Sequence, residues 1–262
     1  MDLIHAIILG IVEGITEFLP ISSTFHLIFA AKYLGLEETE FLKAYQVVIQ
    51  AGGIFAAVLL YWKDVWNDRS LIWKTAAAFI PTGIIAFALS DIIKGVFFES
   101  EVFMLAAFLA VGFIFILVEW IVKLERFSLR YTIATLTYKH ALLIGALQAL
   151  AVLPGVSRAG SVIVVMMLLR YQRSEAARFS FLLAIPTIMA AAAHDAFKMR
   201  ETFLTSTDNL AALAVGTIVS FITAYVVMKW FILFLQKNTL IPFAIYRFVA
   251  VIIILLTLEL SP

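Results

Sequence analysis

Apolar runs follow one another along the whole of this chain, over residues 3–12, 27–34, 44–62, 76–93, 102–122, 141–153, 162–169, 179–193, 210–228 and 239–256. In hydrocarbon every backbone N–H and C=O must be satisfied within the protein, so runs of this kind become helices. Composition points the same way: 63% of the 262 residues are hydrophobic and 14% charged, with a mean hydropathy of +1.03. That excludes a water-soluble globular domain. We therefore expect an all-α integral membrane protein, one membrane domain over residues 1–262 in a multi-pass helix bundle. The N-terminus lacks the basic region and cleavage signature of a leader and reads as part of the mature fold.

The runs are unequal. Several are long enough to cross about 30 Å of hydrocarbon, whereas those at 3–12, 27–34, 141–153 and 162–169 are short for it. The short ones correspond between two halves, approximately 1–133 and 134–262. "AIILGIVEGITEFLPISST" aligns with "ALLIGALQALAVLPGVSR", placing Ala6 over Ala141, Gly10 over Gly145 and Glu13 over Gln148. After a one-residue slip, Pro20 falls over Pro154 and Ser23 over Ser157. Paired, interrupted hydrophobic segments mark the binding site of inverted-repeat membrane folds. The expectation is two inverted repeats with two re-entrant pairs of broken helices, at "FLPISS" and "VLPGVSR", meeting near the bilayer midplane.

Glu13 and Glu17 are spaced i, i+4 and share a helix face. Two glutamates and Arg158 at this depth would cost on the order of 8 to 10 kcal/mol unpaired. Either Glu alone also fits an interfacial residue that snorkels or caps a helix; the pair, together with Arg158 in the partner segment, favours a polar cavity. Ser22, Ser23 and Thr24 on one side and Ser157 on the other are N-cap candidates for second half-helices, with Gly155 and Gly160 permitting close backbone approach. Two helix N-termini and a guanidinium facing one cavity suit a phosphate or diphosphate. The carboxylates then need a bridging divalent cation such as Mg²⁺, for which Glu13 and Glu17 are the candidate ligands, or protonation for acid-base work. His26 lies on one face with Ser22 and Ser23, where it can activate a hydroxyl or protonate a leaving group.

Other classes are excluded or bland. A net charge of +1 with scattered basic residues gives no case for nucleic acid, and the absence of cysteine removes thiolate metal sites, disulfides and redox chemistry. Asp91, Glu119, His194 and Asp195 read as helix caps or interfacial anchors. Gln46, Gln50 and Gln148 either line the cavity or bond between helices.

"EGITEFLPISSTFH", "VVIQAGGIFAAV", "LPGVSRAGS", "FSFLLAIPT" and "IPFAIYRF" together resemble the undecaprenyl-diphosphate phosphatases of the bacitracin-resistance family, from about residue 6 to about 250. The resemblance implies hydrolysis of a C55 polyprenyl diphosphate to the monophosphate carrier lipid of cell-wall synthesis and orthophosphate, in the plasma membrane with the site facing the extracytoplasmic side. It implies catalytic roles for Glu13, Glu17, Ser23, His26 and Arg158, and dependence on Mg²⁺ or Ca²⁺. The polyprenyl lipid and the bilayer are the expected partners, with a homodimer as a further one. The chain departs from the family pattern at Phe25, where Gly is usual, at Ala159, often Ser, and at Gln46, in many members Glu. A transporter or flippase of a polyprenyl phosphate lipid is the competing reading, since inverted repeats with broken helices are also a transporter architecture. A type 2 phosphatidic acid phosphatase is excluded by the lack of a histidine in "SRAGSVIVVMMLL".

Overall fold

Short polar residues ahead of the apolar runs start the helices. In the computed structural model, which describes residues 1–92, 100–124, 127–198, 200 and 207–259, the side chains of Asp2, Thr39, Ser100, Thr137 and Ser157 each accept a backbone N–H of the first turn. The helices are α1 (Leu3–Thr16), α2 (Ser23–Tyr33), α3 (Glu40–Val48), α4 (Gln50–Asn67), α5 (Arg69–Ile92), α6 (Glu101–Lys123), α7 (Tyr138–Gln148), α8 (Arg158–Leu168), α9 (Arg173–Lys198), α10 (Thr207–Lys237) and α11 (Ile241–Glu259). Among the described residues there is no strand, only an isolated bridge between Tyr131 and Tyr171. Five helical rods are long and apolar enough to span a membrane: Glu40–Asn67, Arg69–Leu89, Glu101–Lys123, Arg173–Lys198 and Asp208–Lys237. The chain is thus an all-α membrane protein.

The four helices flanking the two Leu-Pro breaks are shorter. α1 has 14 residues and α2, α7 and α8 have 11 each, so at 1.5 Å per residue they reach about 16 to 21 Å, shorter than a hydrocarbon layer of about 30 Å.

Contacts fix which way each pair runs. At one end of the molecule Lys32, closing α2, bonds Glu101 at the start of α6 at 2.8 Å, and Tyr33 bonds Thr257 near the end of α11. Ala6, Ala31 and Leu42 pack together there, which brings in the start of α1. At the opposite end Glu119 of α6 binds Arg173 of α9 and accepts the Leu240 N–H at 2.8 Å, capping α11. Arg178 meets Asp64 there at 2.7 Å, and His140, opening α7, bonds Tyr171, just past α8, at 2.8 Å. The α1–α2 hairpin therefore starts and finishes at the first end, and the α7–α8 hairpin at the second.

Packing is reciprocal. α1 lies on α10 and α7 on α5, both through glycine. A Cβ on Gly10 would stand 2.7 Å from the Gly216 carbonyl oxygen, and one on Gly145 would stand 1.8 Å from that of Ala78. These aligned glycines let backbones touch where side chains would hold them apart. α4 packs on α10 as α9 packs on α5, and α6 pairs with α11. The side chains of Asp91 and Asp195 lie outside the described residues; His194 is exposed on α9.

Candidate functional site

Both Leu-Pro breaks end in the same unusual backbone. Glu17 is the C-cap of α1, Pro20 follows, and Ser22 takes φ +67° ahead of α2. In the second half a 3-10 turn over Ala149–Val152 leads through Pro154 and Gly155, at φ +89°, to Ser157 at φ +74° ahead of α8. Left-handed backbone costs an L-residue roughly 1–2 kcal/mol. Two buried serines hold it, each immediately before the second helix of its pair, where the chain must turn sharply from one half-helix into the next.

Between the turns lies a buried charge cluster. Glu17 receives the Ser23 hydroxyl hydrogen on Oε2, and Arg158 Nη2 at 2.9 Å on Oε1. Arg158, the first residue of α8, also donates from Nη1 to the Ser180 carbonyl at 2.8 Å and hydroxyl at 3.1 Å on α9. The cluster thus joins residues 141 apart in sequence, with side-chain exposures of 11% for Arg158 and 7% for Glu17. A buried pair of this kind stands only where further hydrogen bonds complete it.

Glu13 is the exception. It is fully buried, and no donor of the protein reaches either carboxylate oxygen. Its charged neighbours are Glu17 and Arg158, and Arg158 Nε is also buried without a partner. Orphaned buried polar atoms of this sort are places where water, an ion or a ligand can bind. At the aligned position Gln148 donates to Thr82 at 3.0 Å and Thr187 at 3.4 Å, so the second half spends its counterpart on interhelical bonds. Gln46 likewise donates to the Leu27 carbonyl at 3.3 Å.

The phosphate-binding candidates divide. Ser22 is buried with no side-chain cap bond, and Thr24 is half-buried in the first turn of α2. Ser157 and Gly160 meet each other, the Ser157 hydroxyl accepting the Gly160 N–H at 3.2 Å. A Cβ on Gly160 would come 2.9 Å from the Phe115 ring, so that glycine admits α6.

His26 bonds neither Ser23 nor Glu17. Its Nδ1 lies 2.7 Å from the Ser22 carbonyl oxygen, which can only accept, so Nδ1 carries a proton. In the neutral ring Nε2 then accepts from the Tyr246 hydroxyl at 2.6 Å. Phe25 points away, stacked on Phe108 at 3.9 Å beside Phe29, and Ala159 is wholly buried.

Sequence reasoning missed Arg247. It is completely buried and faces carbonyls alone: Pro20 at 3.1 and 2.9 Å, Phe108 at 3.0 Å, Gly155 at 3.1 Å and Val156 at 3.5 Å. Phe108 and Phe115 cover its guanidinium at 4.4 and 5.3 Å. One side chain on α11 thereby ties both turns together. The signal was present, since an arginine inside the apolar run 239–256 is costly and functional by default. Ser180 and Tyr246 carry no such signal.

The family described as "Bacitracin resistance protein BacA" matches residues 6–253. Over 260 residues the chain is 43% identical to an undecaprenyl-diphosphatase of Wolinella succinogenes, covering 99% of this chain and 100% of the relative. It is 48% identical to undecaprenyl-diphosphatase 2 of Pseudoalteromonas translucida over 97% of this chain and 98% of that one. An undecaprenyl-diphosphatase of Aquifex aeolicus is 44% identical over 93% of both.

Proposed function

Because this chain belongs to the BacA family of bacitracin resistance proteins, we propose that the charge cluster between its two broken helix pairs is the phosphatase centre for the reaction its relatives are named for. The protein is a membrane hydrolase that converts undecaprenyl diphosphate to undecaprenyl phosphate and orthophosphate, returning the carrier lipid to cell-wall synthesis. The observation that carries the site is the bond from the Ser23 hydroxyl to Glu17, on a carboxylate shared with Arg158.

An activated nucleophile needs a base in hydrogen-bond contact and a third group orienting that base. Ser23, Glu17 and Arg158 have these relations. Glu17 takes the Ser23 proton as Oγ attacks the terminal phosphorus. The phosphoanhydride bond breaks, and undecaprenyl phosphate leaves with the bridging oxygen and its electron pair. Glu17 gives that proton to the departing phosphate oxygen, then takes one from the water that cleaves the phosphoserine and returns it to Ser23 Oγ as orthophosphate leaves. Arg158, aided by the N–H groups opening α2, offsets charge on the transferred phosphoryl oxygens. His26 braces the strained Ser22 carbonyl from one side and meets Tyr246 on the other.

The residues fit a divalent cation. Mg²⁺ is commonly held by one or two carboxylates plus substrate phosphate oxygens, and Glu13 offers two buried oxygens that no protein donor uses. Glu13, with Glu17 beside it, would hold the ion, which when bound neutralises phosphate charge. Among the described residues no third carboxylate or histidine joins them, which leaves coordination to phosphate and water.

The opposed hairpins support two inverted repeats that re-enter the bilayer from opposite faces. Orientation is supported by charge. Lys63, Arg69, Lys74, Lys123, Arg130, Lys139, Arg170 and Lys237 belong to the end holding Arg173 and Glu119, as do all five tryptophans, each exposed near a helix terminus. Glu37, Glu38, Glu40, Glu101 and Asp208 belong to the other end, where Lys32 and Lys43 pair with Glu101 and Glu40. The positive-inside rule puts the basic end in the cytoplasm of a plasma-membrane protein, and the acidic end on the extracytoplasmic side.

The test is orthophosphate release from C55 diphosphate by protein in detergent, with Mg²⁺, Ca²⁺ or chelator. Ser23→Ala, Glu17→Ala and Arg158→Ala should each lower kcat by about a hundredfold or more, and Glu13→Gln should raise the cation concentration needed for half-maximal rate. Full activity in Ser23→Ala would make water the nucleophile. Absence of release from folded wild type, with lipid movement between leaflets, would turn the assignment to a flippase.

A further inference from the structure

Each turn clasps its strained serine in the same local way. In the second, the Ser157 carbonyl accepts the Ser161 N–H and the Ser161 hydroxyl, both at 3.0 Å. In the first, the Ser22 carbonyl accepts the His26 N–H at 3.3 Å and the His26 Nδ1–H at 2.7 Å. The donor stands four residues on in both, where a helix brings it round. A serine suffices for the second turn, so the clasp itself does not require an imidazole. What the histidine adds is reach.

That reach ends on α11. His26 Nε2 meets the Tyr246 hydroxyl at 2.6 Å, and the two rings lie 17° from parallel with centroids 5.6 Å apart. A hydroxyl has one proton to give, and Ser161 gives its own to Ser157, whereas the imidazole bonds with both nitrogens. Arg247, the next residue after Tyr246, holds the Pro20 carbonyl at 3.1 and 2.9 Å. α11 therefore grips the first turn at two carbonyls, Pro20 directly and Ser22 through His26.

The second grip bears on the nucleophile because the Ser22 C=O and the Ser23 N–H belong to one peptide unit. That unit is planar and trans, so its C=O and N–H point opposite ways. Holding the oxygen toward His26 fixes the direction of the Ser23 N–H and the place of the Cα that carries Oγ. Ser22 stands at φ +67° and makes no side-chain cap bond, a costly backbone for an L-residue. The clasp on its oxygen opposes rotation of the peptide out of that conformation.

Resting on the phosphatase reading, we propose that Tyr246 is a positioning residue for Ser23. Its hydroxyl keeps Nε2 the accepting nitrogen of His26 and Nδ1 the protonated one, and Nδ1–H holds the Ser22 carbonyl. The peptide so fixed presents the Ser23 N–H to the terminal phosphoryl group while Oγ stays on Glu17. Tyr246 acts through His26 and that peptide, not on the phosphate itself.

The same two helices supply a control. Tyr33, the last residue of α2, bonds Thr257 of α11 through its hydroxyl, so Tyr33→Phe removes a second tyrosine bond between α2 and α11 at the end away from the turn. The experiment uses full-length protein in detergent with C55 diphosphate and Mg²⁺. Tyr246→Phe keeps the stacked ring and loses only the hydroxyl bond; it should lower kcat roughly tenfold and change KM by less than about twofold. Tyr33→Phe should change neither constant. In protein labelled with 15N-histidine, His26 is distinguished from the other three of the four histidines by its loss in His26→Gln. Its Nδ1 should be protonated and its Nε2 bare and hydrogen-bonded, and Tyr246→Phe should shift the Nε2 resonance. Wild-type kcat in Tyr246→Phe, an equal loss in Tyr33→Phe, or a wild-type His26 protonated on Nε2 overturns the assignment, while wild-type phosphate release keeps the catalytic reading intact. If wild type releases no phosphate the catalytic reading fails, and the 15N resonances decide the brace between Tyr246 and His26 alone.

Discussion

Arg247 shows how much of the site hangs on a side chain that touches no carboxylate. Its guanidinium is spent on carbonyls of Pro20, Gly155, Val156 and Phe108, which fixes the spacing between Ser23 on one turn and Arg158 on the other. A lysine has one compact ammonium and cannot span them. Arg247→Lys should leave a folded protein whose kcat has fallen by about a hundredfold, the scale of effect expected when reacting groups shift by about 1 Å, read by phosphate release beside thermal unfolding. Glu13, Glu17 and Arg158 were legible as a group because charge deep in an apolar chain is rare, whereas Ser23 was read with His26 and bonds Glu17 instead. Arg247 was quoted within "IPFAIYRF" without a role, for its partners are backbone oxygens and no motif records them. Glu119 shows the opposite: the bland sequence reading of a cap describes the carboxylate that accepts the Leu240 N–H.

At the scale of helices, glycine decides which pairs can touch. Gly145 meets the Ala78 backbone so closely that a methyl group would force α7 and α5 apart, whereas a Cβ on Gly35, also at positive φ, would meet nothing within 4 Å. Gly35→Ala should cost only the roughly 1–2 kcal/mol of left-handed backbone. Gly145→Ala should exceed it, at or above the top of the about 1–3 kcal/mol typical of overpacking; melting temperatures in detergent check the ranking. Helix existence was plain from the apolar runs, and the aligned glycines were visible as Gly10 over Gly145. Their partners were not, because Gly216 and Ala78 sit in runs that look like any other membrane span. Phe25 was a departure without a consequence in sequence; the structure gives it one, a stacked place on Phe108 whose other neighbour is the Arg247 guanidinium.

For the whole molecule, the division of charge between ends was hidden while the loops were read in order, since basic residues occur on many connections. Folding gathers Lys63, Arg130, Lys139 and Lys237 at one end and Glu38 and Glu101 at the other. The chain has no cysteine, so single cysteines can be placed at will. A membrane-impermeant maleimide applied to intact cells should label Glu38→Cys and spare Lys139→Cys until the membrane is opened; the reverse pattern would invert the orientation argued from charge.

The tie made by Arg247 also sets a clock on the molecule's birth. Glu17 leaves the ribosome long before Arg158, and the residue that holds their two turns in register comes later still, 89 positions beyond Arg158. Until Arg158 has been made, Glu17 lacks the guanidinium with which it pairs in the folded chain. The proposed site is complete only once α11 has packed against both turns.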